Sequence, residues 1–209
     1  EPIIEQLLKI PRRLRAKVRE ITLDMANSMK TIALRCFPQA IQVTDRFHVQ
    51  KLAIEALQDI RIKYRWEAID LENNQIKEAK SKGKRFIAEE FSNGDSRKLL
   101  LARSRYLLYK SPNNWTDNQK FRAKILFEEY PHIKKAFDLV QGLRSIFNTS
   151  KSMNIAYTKL AHWYKDVELA GFKSFNTIVN TISVNYKSIL NYFINRSTNA
   201  SADREAATK

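Results

Sequence analysis

The sequence is poor in cysteine and in the residues that interrupt helices. It contains four glycines, five prolines and one cysteine, Cys36, among 209 residues. So few turn residues disfavour an all-β sandwich and favour long helices. A single cysteine excludes an internal disulfide bond and a cysteine zinc cluster. The three histidines are far apart in the sequence, and their spacing does not indicate a histidine metal site.

Long apolar runs are also missing. No stretch approaches the roughly 20 apolar residues that cross a bilayer, so we expect no membrane partner. The first residues, Glu1-Pro2-Ile3-Ile4, do not have the basic start and apolar stretch of a signal peptide. Because the chain does not begin with Met, we expect it to start inside a longer protein or to have been processed.

Acidic residues are far fewer than basic ones. Lys and Arg number 37 against 22 Asp and Glu, which gives a net charge of +15. A surplus of this size indicates a polyanionic partner, and nucleic acid is the first candidate because binding to phosphates releases counterions. The alternative is charge that only keeps the protein in solution. Hydrophobic residues make up 44% of the chain, which is enough for a packed core.

The first quarter of the chain has a strand, helix, strand pattern. Residues 18–23 alternate apolar and polar side chains and include β-branched residues, which predicts a strand. Residues 25–36 place apolar side chains at helical spacing, and the helix is expected to end before Pro38. Residues 41–44 form a second predicted strand. An acid follows each strand, Asp24 after the first and Asp45 after the second.

Beyond residue 46 the sequence has helical patterns only, so the predicted fold class is mostly α with a small α/β portion. Residues 46–80 form one very long helix or two, and a leucine-rich helix begins after the turn at 93–96. Thr116 is a predicted helix cap, and Pro131 fits the first turn of a helix that extends to about 147. Two or three further helices are expected, at about 152–169, 172–182 and 184–195.

Asp24 and Asp45 are candidate metal ligands. The carboxyl ends of strands in α/β folds tend to collect functional sites, and two acids on adjacent strand ends can share a divalent metal. Magnesium takes few carboxylates together with water and phosphate oxygens, and a pair of such ions promotes phosphodiester cleavage. The alternative is that these acids only cap the helices that follow the strands, and Asp24 stands where such a cap is expected.

Four runs in the sequence carry a resemblance to a known family. They are ITLDMA at 21–26, FPQA at 37–40, VTDRFHVQKLA at 43–53 and NYFINRSTNASA at 191–202. Together they resemble the DDE transposases of the ISL-three group of bacterial insertion sequences. The resemblance runs in order along nearly the whole chain, and the DRFHV and NYF…NRSTNAS runs are its most specific parts.

The resemblance implies an RNase H-like catalytic core that is interrupted by a large helical insertion. Residues 1–50 would be part of that core, 51–182 the insertion, and 183–209 a helix that returns to the core followed by a polar tail. The implied activity is magnesium-dependent cleavage and transfer of DNA strands at transposon ends. The implied partner is double-stranded DNA, with a homo-oligomer also allowed, and the implied location is the bacterial cytoplasm at the nucleoid.

The resemblance also implies roles for the acids. It makes Asp24 the second acid of the catalytic triad and places Asp45 and His48 in an accessory motif; the rival alignment makes Asp45 the second acid. His48 would orient a phosphate or a carboxylate, or else be a buried histidine that fixes the turn. The first acid would lie upstream of residue 1. Asp203 stands where the family has its third acid, a Glu, and Glu205 is two positions away. We therefore expect this chain alone to be catalytically inactive.

Basic residues in three segments are candidates for contacts with the DNA backbone. They are Arg12, Arg13 and Arg15; Lys82, Lys84 and Arg85; and Arg97, Lys98, Arg103 and Arg105. The first segment is equally compatible with a solvated linker, and the third with the wet face of an amphipathic helix. The alternative function is a basic helical module that binds DNA or supports assembly without catalysis. A scaffold that binds only protein is a third hypothesis.

Overall fold

The computed structural model describes residues 2–196, and most of these residues are helical. The helices are α1 (Pro2–Leu8), α2 (Arg12–Arg15), α3 (Asn27–Cys36), α4 (Arg46–Ser81), α5 (Arg97–Arg103), α6 (Arg105–Tyr109), α7 (Asp117–Glu129), α8 (Pro131–Thr149), α9 (Met153–Ala170) and α10 (Lys173–Asn195). The strands are β1 (Glu20–Leu23) and β2 (Ile41–Thr44). The prediction of a mostly helical chain with a small α/β portion is confirmed.

The two strands form a parallel sheet. Glu20 pairs with Ile41 at one end and Leu23 with Thr44 at the other. Parallel strands need a connection that crosses over, and α3 supplies it between β1 and β2. The helix ends at Cys36, as expected from the Pro at position 38, and Phe37 has left helical geometry.

The chain divides into two compact units. The first comprises residues 1–52 and 143–209, and the second comprises residues 53–142. The helical insertion predicted from the sequence, 51–182, extends well beyond the second unit. Its predicted end at 182 also falls inside α10, so the assignment of these segments to a core and an insertion stays a prediction.

In the first unit, α10 packs along β2 and against α9, while α3 contacts β1 and α1. Leu23 and Val43 are buried on opposite faces of the sheet. The fully buried Phe147 stacks on Phe193 with ring centroids 5.5 Å apart. Tyr192 meets Phe147 edge to face at 5.6 Å. These rings fill space beside a sheet too small to build a core by itself.

The second unit has an aromatic core of its own. Phe137 lies 5.4 Å from the ring of Trp115 and 5.3 Å from that of Phe127. The indole of Trp115 donates a hydrogen bond to the carbonyl of Leu107 at 2.7 Å, which satisfies its polar atom. Leu100 of α5 and Leu107 of α6 are almost completely buried here.

Three segments differ in detail from the sequence-based prediction. The basic residues after Pro11 form the short helix α2, and the leucine-rich helix is split into α5 and α6 at Ser104. The hydroxyl of Ser104 is buried and donates to the carbonyl of Leu100. The predicted break near 183 is wrong, because α10 is one helix from Lys173 to Asn195. No Gly or Pro interrupts this segment, and its apolar face continues through Ile182. No helix in residues 2–196 is long and apolar enough to span a membrane.

Candidate functional site

The ends of the two strands bring the predicted acids to one edge of the sheet. Leu23 and Thr44 are paired in the parallel register, and Asp24 and Asp45 are the next residues of their strands. The backbone amide of Asp45 donates to the carbonyl of Leu23 at 2.9 Å. We call Asp24 and Asp45 the acid edge. The register therefore fixes the positions of both acids through backbone pairing.

Asp45 has a structural role within this edge. Its Oδ1 accepts a hydrogen bond from the backbone amide of Phe47 at 2.9 Å, in the first turn of α4. A carboxylate at this position satisfies a helix-terminal donor and interacts favourably with the helix dipole. Asp45 is also buried, with 5% of its surface exposed. Asp45 thus caps α4, and whether it also binds a metal stays a prediction.

Asp24 is bound differently. Its Oδ1 accepts from the amide of Ala26 at 2.9 Å, which closes a local turn. The residue at the cap position of α3 is Ala26, which has no side-chain acceptor, so Asp24 does not cap that helix as the alternative interpretation expected. Asp24 is half-buried and therefore more accessible than Asp45.

His48 follows the acid edge on the first turn of α4. It is half-buried, and its ring meets the ring of Phe47 edge to face with centroids 5.7 Å apart. Phe47 is 64% exposed, so the two rings form an accessible surface close in sequence to Asp45. The two proposed roles of His48, as a ligand-orienting group or as a fixed structural residue, both stay predictions.

Helix α10 holds both strands through polar side chains that the sequence did not single out individually. The amide of Asn191 donates to the carbonyl of Gln42 at 2.9 Å. Another hydrogen bond joins the hydroxyls of Ser188 and Thr44 at 2.8 Å. The amide of Asn195 donates to a carboxylate oxygen of Glu20 on β1 at 2.9 Å. The signal for these contacts is the NYF…NR run itself, whose asparagines recur four residues apart on one helix face.

The two most specific runs of the resemblance, DRFHV and NYF…NR, also contact each other. The guanidinium of Arg46 lies 5.8 Å from the ring centre of Tyr192 and donates to Asn148 at 3.2 Å. At the end of α10, Arg196 adopts a left-handed conformation with a φ of 56° and donates to the carbonyl of Ser150. The DRFHV and NYF…NR runs are thus parts of one packed structure.

The acid edge offers two carboxylates to a divalent ion. Each carboxylate uses Oδ1 for a local backbone amide. Within residues 2–196 no group of three or more acidic, histidine or cysteine side chains is placed to bind a metal. The predicted third acid, Asp203, lies outside the described residues. Two carboxylates suit magnesium, which takes its remaining ligands from water and phosphate.

Two of the predicted basic segments are largely exposed. Arg12, Arg13, Lys84 and Arg85 are exposed, and Lys82 is exposed although it forms an ion pair with Glu78. Arg15 differs, because its guanidinium donates to the carbonyls of Ile10 and Cys36 and so joins α2 to the end of α3.

Most basic residues of the third segment form ion pairs inside the second unit. Arg97 binds Glu129 at 3.1 Å, and Lys98 binds Glu72 at 2.5 Å. Arg103 pairs with Asp95. Arg105 is exposed, and its guanidinium lies 5.5 Å from the ring centre of Tyr106. The charges of the first three residues are therefore partly neutralised within the fold, as the solvated-helix interpretation allowed.

Asp95 is the centre of this network. It is completely buried, with Arg122 donating to Oδ2 at 2.8 Å and Arg103 to Oδ1. Burial by itself raises the pKa of Asp95, but the hydrogen bonds from Arg122 and Arg103 outweigh it and the net pKa lies below the ordinary value. The sequence pattern predicts only a turn at Asp95 and does not indicate that its carboxylate binds two arginines.

Comparison with known proteins points to one family. The family model of the ISL3 group of DDE transposases, described as "Transposase", matches residues 1–203. A transposase for insertion sequence element IS1557 from Mycobacterium tuberculosis is 27% identical over 134 residues, and the same match occurs in two strains, CDC 1551 / Oshkosh and ATCC 25618 / H37Rv.

The aligned stretch covers 64% of this chain but only 30% of the length of those relatives. No solved structure matches the chain significantly. The family match nevertheless covers almost all of the sequence, including both strands, the acid edge and α10. The chain belongs to the ISL3 family of DDE transposases.

Proposed function

We propose that this chain is part of the catalytic domain of a DNA transposase and that its acid edge binds a divalent metal ion. The observation that carries the proposal is the parallel register of β1 and β2, which places Asp24 and Asp45 directly after the paired residues Leu23 and Thr44. In this proposal, the sheet and the helices packed on it are part of an RNase H-like core. The substrate of the whole protein is the double-stranded DNA of transposon ends.

The two acids have unequal roles in this proposal. Asp24 is the principal metal ligand, because it is more accessible than the buried Asp45 and its carboxylate does not cap a helix. Asp45 mainly fixes the start of α4, and so sets where His48 and the edge itself lie. A magnesium ion bound there supplies activation of water and neutralisation of charge at the scissile phosphate. His48 orients a phosphate oxygen or a carboxylate.

The triad of the intact enzyme includes acids that the described residues do not supply. We propose that one acid belongs to sequence upstream of Glu1 and that Asp203 stands at the third position. Aspartate is one methylene shorter than the Glu of the family, so its carboxylate reaches less far toward a metal. This chain alone is therefore proposed to bind metal weakly and to lack strand-transfer activity. In the cell, the whole protein would act in the bacterial cytoplasm at the nucleoid.

Paramagnetic manganese tests the metal site directly. Mn²⁺ titrated into isotopically labelled chain broadens the amide NMR signals of residues near its binding site. We expect the signals of Asp24 and of the first turn of α4 to broaden first. Asp24→Asn should abolish this selective broadening, because the amide keeps the shape of the side chain but removes its charge. The test requires no activity from the chain.

Asp166→Asn is the matched control. Asp166 is an exposed acid on α9 in the same unit, and its replacement should leave the broadening at the strand ends unchanged. Broadening that is spread over surface acids and unaffected by Asp24→Asn would contradict the proposal. The non-catalytic alternative, a helical module that binds only DNA, would then account better for the basic charge.

A further inference from the structure

Three arginines of the second unit lie together at the junction of α4 with α5 and α6. Arg61 is buried, with its Nε 2.7 Å from Oε1 of Gln58 and its Nη1 2.8 Å from the carbonyl of Leu101. The amide nitrogen of Gln58 in turn lies 3.3 Å from the carbonyl of Arg105. One glutamine side chain thus connects the buried Arg61 with the backbone of Arg105.

Arg65 completes the group one helical turn after Arg61. Residues four apart on a helix are neighbours on its surface, about 5–6 Å apart at Cβ. The Nε of Arg65 is buried and, within the described residues, has no hydrogen-bond partner. A buried guanidinium donor without an acceptor costs free energy, which a further acceptor such as a bound anion would remove.

No acidic side chain on the face of α4 that carries Arg61 and Arg65 is free to neutralise their positive charge. That face continues from Arg65 through Ala68 to Glu72, and Glu72 is already paired with Lys98 at 2.5 Å. The pKa of Arg61 is lowered first by burial and then by the positive charges of Arg65 and Arg105, with Tyr109 acting in the opposite direction. The guanidinium groups of Arg65 and Arg105 therefore each repel that of Arg61.

We propose that Arg65 and Arg105, supported by the buried Arg61, form a binding site for a phosphate group of the DNA backbone. Guanidinium groups suit phosphate because their planar N–H donors match its oxygens and give charge-assisted hydrogen bonds. Arg105 is exposed and so reaches a ligand from solvent, while Arg65 contributes its unsatisfied Nε. Arg61 acts as a positioning residue, since it is buried and its Nε and Nη1 already donate to Gln58 and Leu101.

The choice of DNA as the source of the phosphate rests on the proposed function. The site itself requires neither metal nor the acid edge, so the two proposals fail separately. Loss of manganese binding at Asp24 leaves the arginine site untouched. Conversely, an arginine site that does not bind DNA leaves the metal proposal standing.

The test is a fluorescence-anisotropy titration of a short duplex at several salt concentrations, without divalent metal. The variants are Arg65→Gln, Arg105→Gln and the double substitution. Each single variant should weaken DNA binding about tenfold at low salt and should reduce the slope of log K against log salt by no more than about 0.9, the value for one phosphate contact. The double variant should reduce the slope by about 0.9 in total, because both arginines bind the same phosphate group.

Lys63→Gln is the matched control, because it removes an exposed charge two residues before Arg65 on a different side of the same helix. It should alter DNA binding much less than Arg65→Gln. Arg105 is exposed, so Arg105→Gln should leave the thermal unfolding midpoint unchanged. The Arg105→Gln variant therefore still tests the site if Arg65→Gln unfolds the protein.

A second arm separates DNA from free phosphate. Inorganic phosphate is added in place of DNA, and the thermal midpoint is followed in the wild type and in Arg105→Gln. A rise in the thermal midpoint with inorganic phosphate that disappears in Arg105→Gln, together with the loss of DNA affinity in the same variant, supports one shared site. Equal effects of Lys63→Gln and Arg105→Gln on DNA affinity, or stabilisation by phosphate with no effect of Arg105→Gln on DNA affinity, would overturn the proposal.

Discussion

The side-chain amide of Asn191 donates a hydrogen bond to the backbone carbonyl of Gln42 at 2.9 Å, joining residues that are 149 positions apart in the chain. The contact attaches α10 to β2 three residues before Asp45 of the acid edge. A backbone carbonyl in a partly buried position requires a donor, and the asparagine provides it. The last helix in the described residues therefore supports the strand that carries Asp45.

Removal of this contact should destabilise the first unit. Asn191→Ala leaves the carbonyl of Gln42 without its side-chain donor and should lower the free energy of unfolding by about 1–2 kcal/mol. Urea denaturation followed by circular dichroism measures the change. Asn180→Ala, at an exposed position of the same helix, is the control and should cost less than about 0.5 kcal/mol. Equal losses in the two variants would show that Asn191 acts only through helix propensity.

The two acids of the acid edge should differ in their effect on stability. Asp45→Ala removes the cap of α4 from a buried position and should cost about 1–2 kcal/mol, whereas Asp45→Asn keeps an acceptor and should restore most of that loss. Asp24→Ala removes only a local turn contact and should cost about 0.5 kcal/mol. Thermal unfolding of the three variants is the measurement. A larger loss for Asp24→Ala than for Asp45→Ala would refute this division of roles.

The buried carboxylate of Asp95 should make the second unit sensitive to acid. Asp95→Asn removes the charge that two arginines bind and should cost about 2–3 kcal/mol at neutral pH, less than for a fully buried pair because the side chain of Arg103 is 54% exposed. Chemical denaturation at pH 7 measures this loss. Asp117→Asn is the control, because the side chain of Asp117 is 97% exposed in its pair with Lys120.

The pH dependence follows from the direction of the pKa shift. The folded pKa of Asp95 lies below its ordinary value, so its contribution to stability is complete above the unfolded pKa of about 3.9 and is lost as the pH falls through the folded pKa. Stability measured between pH 7 and the acid limit should therefore fall less steeply in Asp95→Asn than in the wild type. Parallel curves for the two proteins would contradict the ion-pair role.

The start of α7 should depend on its capping box. The hydroxyl of Thr116 accepts from the amide of Gln119 at 3.3 Å, and Oε1 of Gln119 accepts from the amide of Thr116 at 3.2 Å. Thr116→Ala should lower the free energy of unfolding by about 1 kcal/mol, and Thr116→Ser should lower it by less. Differential scanning calorimetry resolves such a change. Thr158→Ala, an exposed position within α9, should leave the stability nearly unchanged.

Much of the local structure could be predicted from the sequence because its signals are short-range. The apolar alternation in 18–23, the Pro at 38 and the threonine before α7 each act within a few residues, and the structure confirms the elements they indicate. The predicted break near 183 failed because nothing local stops a helix there. The apolar face of α10 continues through Ile182 and Ile189, and packing against β2 and α9 keeps the helix in one piece.

The candidate site was only partly accessible to the same reasoning. Strand ends identified Asp24 and Asp45, since parallel strands bring their carboxyl ends to one edge. The resemblance favoured Asp24 as the second acid, but strand ends alone did not rank the two, because burial and the choice of helix cap depend on the three-dimensional structure. It also could not separate Arg97, which binds Glu129, from Arg65, whose Nε is unsatisfied, since partners distant in sequence decide which charges are used.

The connection between α10 and β2 has a consequence for the timing of synthesis. Strand pairing with a period of two residues is sensitive to register, and a slip by one residue turns every side chain to the opposite face. Two contacts that hold β2 in place, from Ser188 and Asn191, come from residues that leave the ribosome long after the strands. Domains fold as units during translation, and contacts distant in sequence form late. In a nascent chain, β2 therefore lacks these two contacts until the last described helix has emerged, so we expect the strand that carries Asp45 to reach its final position only then.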